Sequence, residues 1–277
     1  MATDRSATPT TGAVPAAAAY LVTERLTRTI RITELRVRPL GAPMVFRPGQ
    51  YVLVGAPGDP ELRAYSVANA PRPDGELTLL VTRVPGGRVS TWLHESAWPG
   101  QELAVAGPFG GFVADPEAGR PTLYLAAGAG LAPVLALVEE ALAGGATHPM
   151  TVLFSVRARD EVFCEGTLAY WERRYPSFRF FPTFTQRAVP DELSGRIPVV
   201  LGELFDDLSD HTVHIAGPWP FADACAAAAR ALGAPDTHVH VERYQHEGTH
   251  PDAGPVIDLR DPDRSGRRTP ATARTTC

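Results

Sequence analysis

The chain has 277 residues, enough for two ordinary domains, and its 44% hydrophobic and 21% charged residues are those of a soluble globular protein. A net charge of −5 gives no bulk attraction to nucleic acid or to an anionic membrane, and no apolar run approaches the roughly 20 residues needed to span a bilayer. All 26 basic residues are arginine, so Schiff-base and lysine general-base chemistry are excluded.

Residues 1–18 are small, polar and Ala/Pro-rich and read as disordered. They carry Asp4 and lack a hydrophobic segment, so no signal peptide is expected and the location is read as cytoplasmic. Cys164, Cys225 and Cys277 lie too far apart in sequence for a CxxC pair, a zinc motif or an iron–sulfur cluster.

From Tyr20 to about Val113 short alternating segments follow one another: TIRITELRVRP, GQYVLVGAP, ELTLLVTRV and QELAVAGP. Gly/Pro turns at close spacing separate them, which predicts a small antiparallel barrel over residues 19–118. Arg25, Arg28, Arg31, Arg36 and Arg38 form a basic band on its first strands, either a solvated face or a docking surface for an acidic partner. RAYSVAN, residues 63–69, reads as one extended stretch with Arg63 and Tyr65 on the same face and Ser66 one step on. A cation, a flat ring and a hydroxyl can hold a phosphate, a planar heterocycle and a ring nitrogen; the same residues also suit an ordinary barrel strand. PGGRVSTWL, residues 85–93, then predicts a helix over Val89–Glu95. Ser90 is its expected cap, and the free N–H groups of Arg88, Val89 and Ser90 face an anion such as pyrophosphate.

DPEAGRP, residues 115–121, reads as a hinge, and beyond it strands alternate with helices. TLYLAAG, MTVLFSV, FRFFPTFT, HTVHIAG and THVHVERY are the predicted strands; PVLALVEEALAGG and PFADACAAAARALG are the clearest helices. That order predicts a parallel sheet covered on both faces over residues 119–246. LAAGAGLAP, residues 125–133, ends a strand, turns at Gly128 and Gly130, and opens a helix around Pro133. HIAGPWPF repeats the device at Gly217 and Pro218, so two glycine loops at one sheet edge point to a dinucleotide. His238 and His240 are expected on one strand face, and with His246 and His250 they lack a cysteine or a clear carboxylate second shell, so no metal site is expected. Residues 247–277 read as a flexible tail.

The order RxYS, GGxxSxxL, GPFGGF, GxGxxP, AGPWPF and ERY, spread over roughly residues 20–245, resembles the ferredoxin–NADP reductase family, with FRPGQYV resembling the entry to its flavin barrel. LVTRVPGGRVS and LSGRIP are most similar to the bacterial reductases of ferredoxin or flavodoxin. The resemblance implies FAD held by Arg63, Ala64, Tyr65, Ser66, Val81, Gly87, Arg88, Val89, Ser90, Ala129 and Tyr244, the two tyrosines covering opposite faces of the ring. It implies NADPH, or alternatively NADH, at Gly128, Gly130, Pro133, Arg157, Thr185, Gln186, Arg196, Gly217 and Pro218. Ser66 and Glu242 would stand at the site of hydride transfer. Electrons would then pass singly to a separate ferredoxin or flavodoxin, which could in turn feed an oxygenase. The alternatives within the same fold are a free-flavin or ferric reductase and an electron-transfer subunit of an oxygenase complex.

Three departures from the family pattern stand out. Ala216 occupies a position that is often cysteine, Ala64 one that is often proline, and residues 245–277 follow the aromatic near which close relatives end. Thr185 and Gln186 stand where NADP-dependent bacterial relatives place a serine–arginine pair, and Asp160 and Glu161 argue weakly for NADH.

Overall fold

The computed structural model describes residues 16–114 and 119–244. Residues 1–15, residues 115–118 of the expected hinge, and residues 245–277 with His246, His250 and the expected tail lie outside the described residues.

The first half is one antiparallel sheet of six strands: β1 (Ala18–Thr27), β2 (Ile32–Pro39), β3 (Tyr51–Gly55), β4 (Arg63–Ser66), β5 (Leu77–Thr82) and β6 (Glu102–Phe109). Their order is β4-β3-β6-β1-β2-β5, and the sheet curls until its edges meet. Val67 bridges Leu79, and the Ala68 N–H donates to the Thr78 carbonyl at 2.8 Å, so the edge strand carrying Arg63 and Ser66 is tied to β5. The barrel interior is filled by Tyr20, Val22, Leu35, Val37, Val52, Val54, Leu77, Leu79, Val81, Leu103 and Val105. Helix α1 (Arg88–Glu95) packs Val89 and Leu93 against that core.

The second half is an all-parallel sheet: β7 (Thr122–Ala127), β8 (Met150–Val156), β9 (Phe178–Phe184), β10 (Leu193–Ser194), β11 (Thr212–Pro218) and β12 (Val239–Tyr244), in the order β10-β9-β8-β7-β11-β12. Alternate residues of each strand face opposite sides, as the pleat requires. Tyr124, Ala126, Val152 and Phe154 pack under α2 (Leu131–Ala143) and α3 (Glu165–Arg174). Leu123, Leu125, Leu153, Val213 and Ile215 pack under α4 (Ile197–Leu204) and α5 (Trp219–Ala231). The predicted coverage of both faces is found. Helix α2 stops where its sequence says it should: Gly145 takes φ of 78°, and the Ala146 N–H returns to the Ala141 carbonyl at 2.9 Å, closing a Schellman turn.

The halves share a core, because Ile32, Ala68 and Leu80 from the barrel and Phe112 after it join the cluster under α2. The Glu139 carboxylate of α2 accepts the Ala70 N–H at 2.7 Å, and the His214 imidazole lies 3.3 Å from the Val113 carbonyl.

Candidate functional site

Strand order in the parallel sheet reverses at β7, with β8 on one side and β11 on the other. The crevice beyond the carboxyl ends of these two strands is where open α/β sheets bind ligands. Gly128–Gly130 leave β7 there as a single 3-10 turn, and Gly217 and Pro218 end β11 there, with α5 starting at Trp219. The two loops touch. A Cβ on Gly130 would lie 2.0 Å from the Ala216 carbonyl oxygen, and one on Gly217 would lie 2.7 Å from the Phe221 ring. Gly128 has φ of 56° with open space before it, and Ala129 beside it is half-buried. Pro133 is buried in the first turn of α2.

The barrel brings its own wall to this crevice. In β4, Tyr65 is half-buried against the barrel core, its hydroxyl pKa raised by burial, and Ala64 is exposed. Ser66 is 7% exposed, and its Oγ lies 3.0 Å from the Tyr244 hydroxyl of β12 in the other half. Tyr244 follows Glu242, which pairs in register with Ala216 of β11. Burial pushes the Glu242 carboxyl up to about 7, with Arg243 opposing the shift. Tyr51, opposite Ser66 in β3, has its hydroxyl raised by burial and by Glu242. Ser66, Tyr244, Glu242 and Tyr51 thus converge from two domains. Tyr51 stands in GQYV with no local mark of a site, and only the β3–β4 register puts it opposite Ser66. A Ser66→Ala, Tyr244→Phe double-mutant cycle on stability is expected to return a coupling of about 1 kcal/mol, whereas simple additivity would mean that the hydroxyl contact is not formed.

Away from the crevice, along the barrel, Arg63 and the first turn of α1 form a second group. The leading N–H groups of a helix lack intrahelical partners, and here they belong to Arg88, Val89 and Ser90. Ser90 does not cap the helix as expected: Gly87 holds the cap position. Ser90 sits inside the first turn, where its Oγ donates to the Gly87 carbonyl and accepts the Val84 N–H, both at 3.2 Å. A Cβ on Gly87 would meet that Oγ at 2.7 Å, so a side chain there would disturb the turn. Val81 is wholly buried in the barrel core, and its carbonyl accepts from His94 at 2.8 Å; it supports α1 from beneath and its side chain does not reach the groove. Arg63 Nη2 lies 2.7 Å from Glu61, and the Arg88 guanidinium bonds both Asp59 and Glu61.

The residues expected near a ribose phosphate are also brought together. Arg157 follows β8, Thr185 and Gln186 follow β9, and Arg196 follows β10 as the cap of α4. The Thr185 N–H donates to Val156 at 2.9 Å and the Gln186 N–H to Arg157 at 3.1 Å, which joins the β8 and β9 loops. Arg157 is held by Glu161, through its Nε at 2.7 Å and through its own backbone N–H at 3.0 Å. Charge at this rim is therefore partly neutralised.

The structure adds partners to one further expectation and changes another. The basic band is laced with partners: Arg28 pairs with Glu34, Arg36 with Glu24 and Glu34, and Arg25 lies over the Trp98 ring. His238 does not share a strand face with His240, because it ends a 3-10 turn ahead of β12; His240 stacks on His214 at 4.6 Å.

These residues suit a flavin dinucleotide. Two guanidiniums and three N–H groups supply the chemistry a diphosphate needs, and an aromatic ring, a hydroxyl and a carboxyl pushed up to about 7 line the adjoining crevice.

An anion cradle on a curled antiparallel sheet, set against the switch point of a parallel sheet, defines a two-domain oxidoreductase fold. The model of the oxidoreductase FAD-binding domain matches residues 20–113, and that of the oxidoreductase NAD-binding domain matches residues 124–227. Ferredoxin–NADP reductase B of Sorangium cellulosum is 34% identical over 216 residues, covering 74% of this chain and 87% of that protein. The chain belongs to the ferredoxin–NADP reductase family. Reductase component 1 of terephthalate 1,2-dioxygenase from Comamonas sp is 31% identical over 224 residues, and the ferredoxin reductase component of 3-ketosteroid-9-alpha-monooxygenase from Mycolicibacterium smegmatis is 32% identical over 233. The chain covers 66% and 63% of those two relatives' lengths, under two thirds of each. Among solved structures, the Amycolatopsis cytochrome P450 reductase GcoB superposes with a TM-score of 0.77 at 26% identity, over 82% of this chain and 69% of that one. No helix among the described residues is long and apolar enough to cross a membrane.

Proposed function

We propose that the chain is an FAD-dependent NAD(P)H oxidoreductase that delivers electrons singly to a separate ferredoxin- or flavodoxin-type carrier, which in turn serves an oxygenase. The observation that carries this reading is the meeting of Ser66 and Tyr244 across the two domains, at 3.0 Å, beside the paired glycine loops of the switch point. Domain limits of 19–118 for the flavin barrel and 119–246 for the nicotinamide sheet go with it, as does a cytoplasmic location.

Bound FAD would supply the change from two-electron to one-electron transfer. The chain's own residues bind and orient. Arg63 and the N–H groups of Arg88, Val89 and Ser90 would hold the diphosphate, with Gly87 leaving them accessible. Tyr65 and Tyr244 would cover the ring faces, and Ser66 would offer its hydroxyl at the ring edge. Gly128 and Gly130 with Gly217 and Pro218 would let the nicotinamide nucleotide approach the backbone closely, Ala129 between them would face the flavin, and buried Pro133 fixes the helix behind them. Glu242, whose carboxyl burial pushes up to about 7, can take up or release a proton near neutral pH, and its charge acts on Tyr51. Arg157, Thr185, Gln186 and Arg196 favour NADPH over NADH, although Arg157 meets a 2′-phosphate only by sharing or leaving Glu161.

Anaerobic titration of the purified yellow protein with NADPH and then NADH tests the reading: the flavin absorbance should bleach, at lower concentration with NADPH. Colourless protein that refuses added FAD would overturn it. Retained colour through purification would also count against flavin as a diffusible substrate, and turnover of NADPH with ferricyanide by the chain alone would count against a purely accessory subunit. The oxygenase assignment draws on relatives whose names place them in oxygenase systems.

A further inference from the structure

We propose that Asp59 and Glu61 restrain the hold of the flavin groove on phosphate, acting as built-in counter-ions on Arg63 and Arg88 that a phosphorylated flavin must displace. The inference rests on the reading that this groove takes the phosphates of a flavin.

Glu61 bridges the two arginines. One carboxylate oxygen lies 2.7 Å from Nη2 of Arg63 and the other 2.6 Å from Nε of Arg88. Asp59 takes the rest of the Arg88 fork, at 2.9 Å on Nη2 and through a second bond to Nη1. The carboxylates are held in place, because the Glu61 N–H donates to Asp59 Oδ1 at 2.9 Å and closes the turn between them. Their side chains are only 21% and 22% exposed, against 57% for Arg88, so the acids lie on the inner side of the cluster.

Glu61 and Asp59 already give both guanidiniums charge-assisted bonds. A ligand that offers only hydroxyl groups makes weaker bonds to guanidinium than a carboxylate does, so it gains nothing by entering. A ligand with one phosphate can exchange for Glu61 at Arg63. A ligand with two phosphates can exchange at both arginines. The same acids repel any phosphate that stops short of exchange. Affinity for phosphate is therefore set by what must be displaced as well as by what is bound.

The test uses the full chain freed of flavin and titrated with riboflavin, FMN and FAD, followed by flavin fluorescence. Glu61→Gln keeps the shape and removes one competing charge. It should tighten FMN and FAD by about tenfold and leave riboflavin unchanged, with the gain shrinking as salt is raised. Asp59→Asn, as an independent second variant, should move FAD in the same direction by a smaller factor. Unchanged or weaker FAD binding in both variants would overturn the proposal, since it would mean that the carboxylates organise the arginines rather than compete for them. An equal gain for riboflavin would overturn it too, by showing a change in the groove unrelated to phosphate. If the unmodified chain bound none of the three flavins, the underlying reading would fall and the proposal with it, an outcome distinct from the other two.

Discussion

Gly130→Ala is expected to destabilise the protein by about 3 kcal/mol and to abolish nucleotide binding at the switch point, whereas Gly128→Ala, two residues away, should leave a protein that folds and binds weakly. The contrast follows from what each new methyl group would meet. At residue 130 the Cβ would lie 2.0 Å from the Ala216 carbonyl oxygen, 2.5 Å from its carbon and 3.0 Å from the Gly217 nitrogen. These are backbone atoms of a central strand bonded on both sides, to β7 and to β12, so they cannot yield as a side-chain tip can. The turn must lift away from β11, and the gap between the two glycine loops opens. Residue 128 is the opposite case: nothing stands within 4 Å of its Cβ, but its φ of 56° lies in the left-handed region. Alanine there costs about 1–2 kcal/mol of backbone strain and meets no obstacle. Chemical denaturation and binding of an immobilised nicotinamide nucleotide by both variants check the order. Equal effects would mean that conformational freedom, not close packing, is why this loop carries glycine.

The same comparison shows what could be read in the sequence. The change from period-two segments to strands alternating with helices was visible at Thr122, and it is where the parallel sheet begins. Glycine loops were legible because each follows an apolar strand and precedes a helix, a local signal. Pairings between distant segments were not legible. Asp59 and Glu61 gain their meaning from β4 lying at a sheet edge near α1, and Tyr51 gains its own from facing Ser66 across two strands. Ser90 looked like a cap because a serine after two glycines ahead of an apolar run is the usual pattern. The chain instead starts the helix one residue earlier than expected and turns the hydroxyl back onto Val84. Strand β10, two residues long, carries too little periodicity to be seen at all. The basic band reads from sequence as a solvated face or a docking surface; its pairing of Arg36 with Glu24 comes only from the β1–β2 register.

Stability of the flavin-free protein should fall by about 3 kcal/mol between about pH 5 and about pH 8 because of Glu242, and Glu242→Gln should remove that slope. The carboxyl titrates at about 7, against 4.5 for an unperturbed glutamate, because burial disfavours its charged form. A group whose folded pKa is raised binds protons more tightly in the folded state than in the unfolded chain. Its favourable contribution is complete below about pH 4.5 and is lost as the pH rises through 7, the reverse of a salt-bridged carboxylate. Glutamine keeps the shape and stays neutral throughout, so above pH 7 the variant should be the more stable protein. The quantity to measure is the difference between the two proteins in denaturant unfolding at each pH, which cancels the histidines and other groups that both share. A flat difference would mean that Glu242 is solvated or paired in solution. A difference with the predicted sign would show that the crevice raises the proton affinity of a carboxyl in a strand where an ordinary glutamate would be charged and wet.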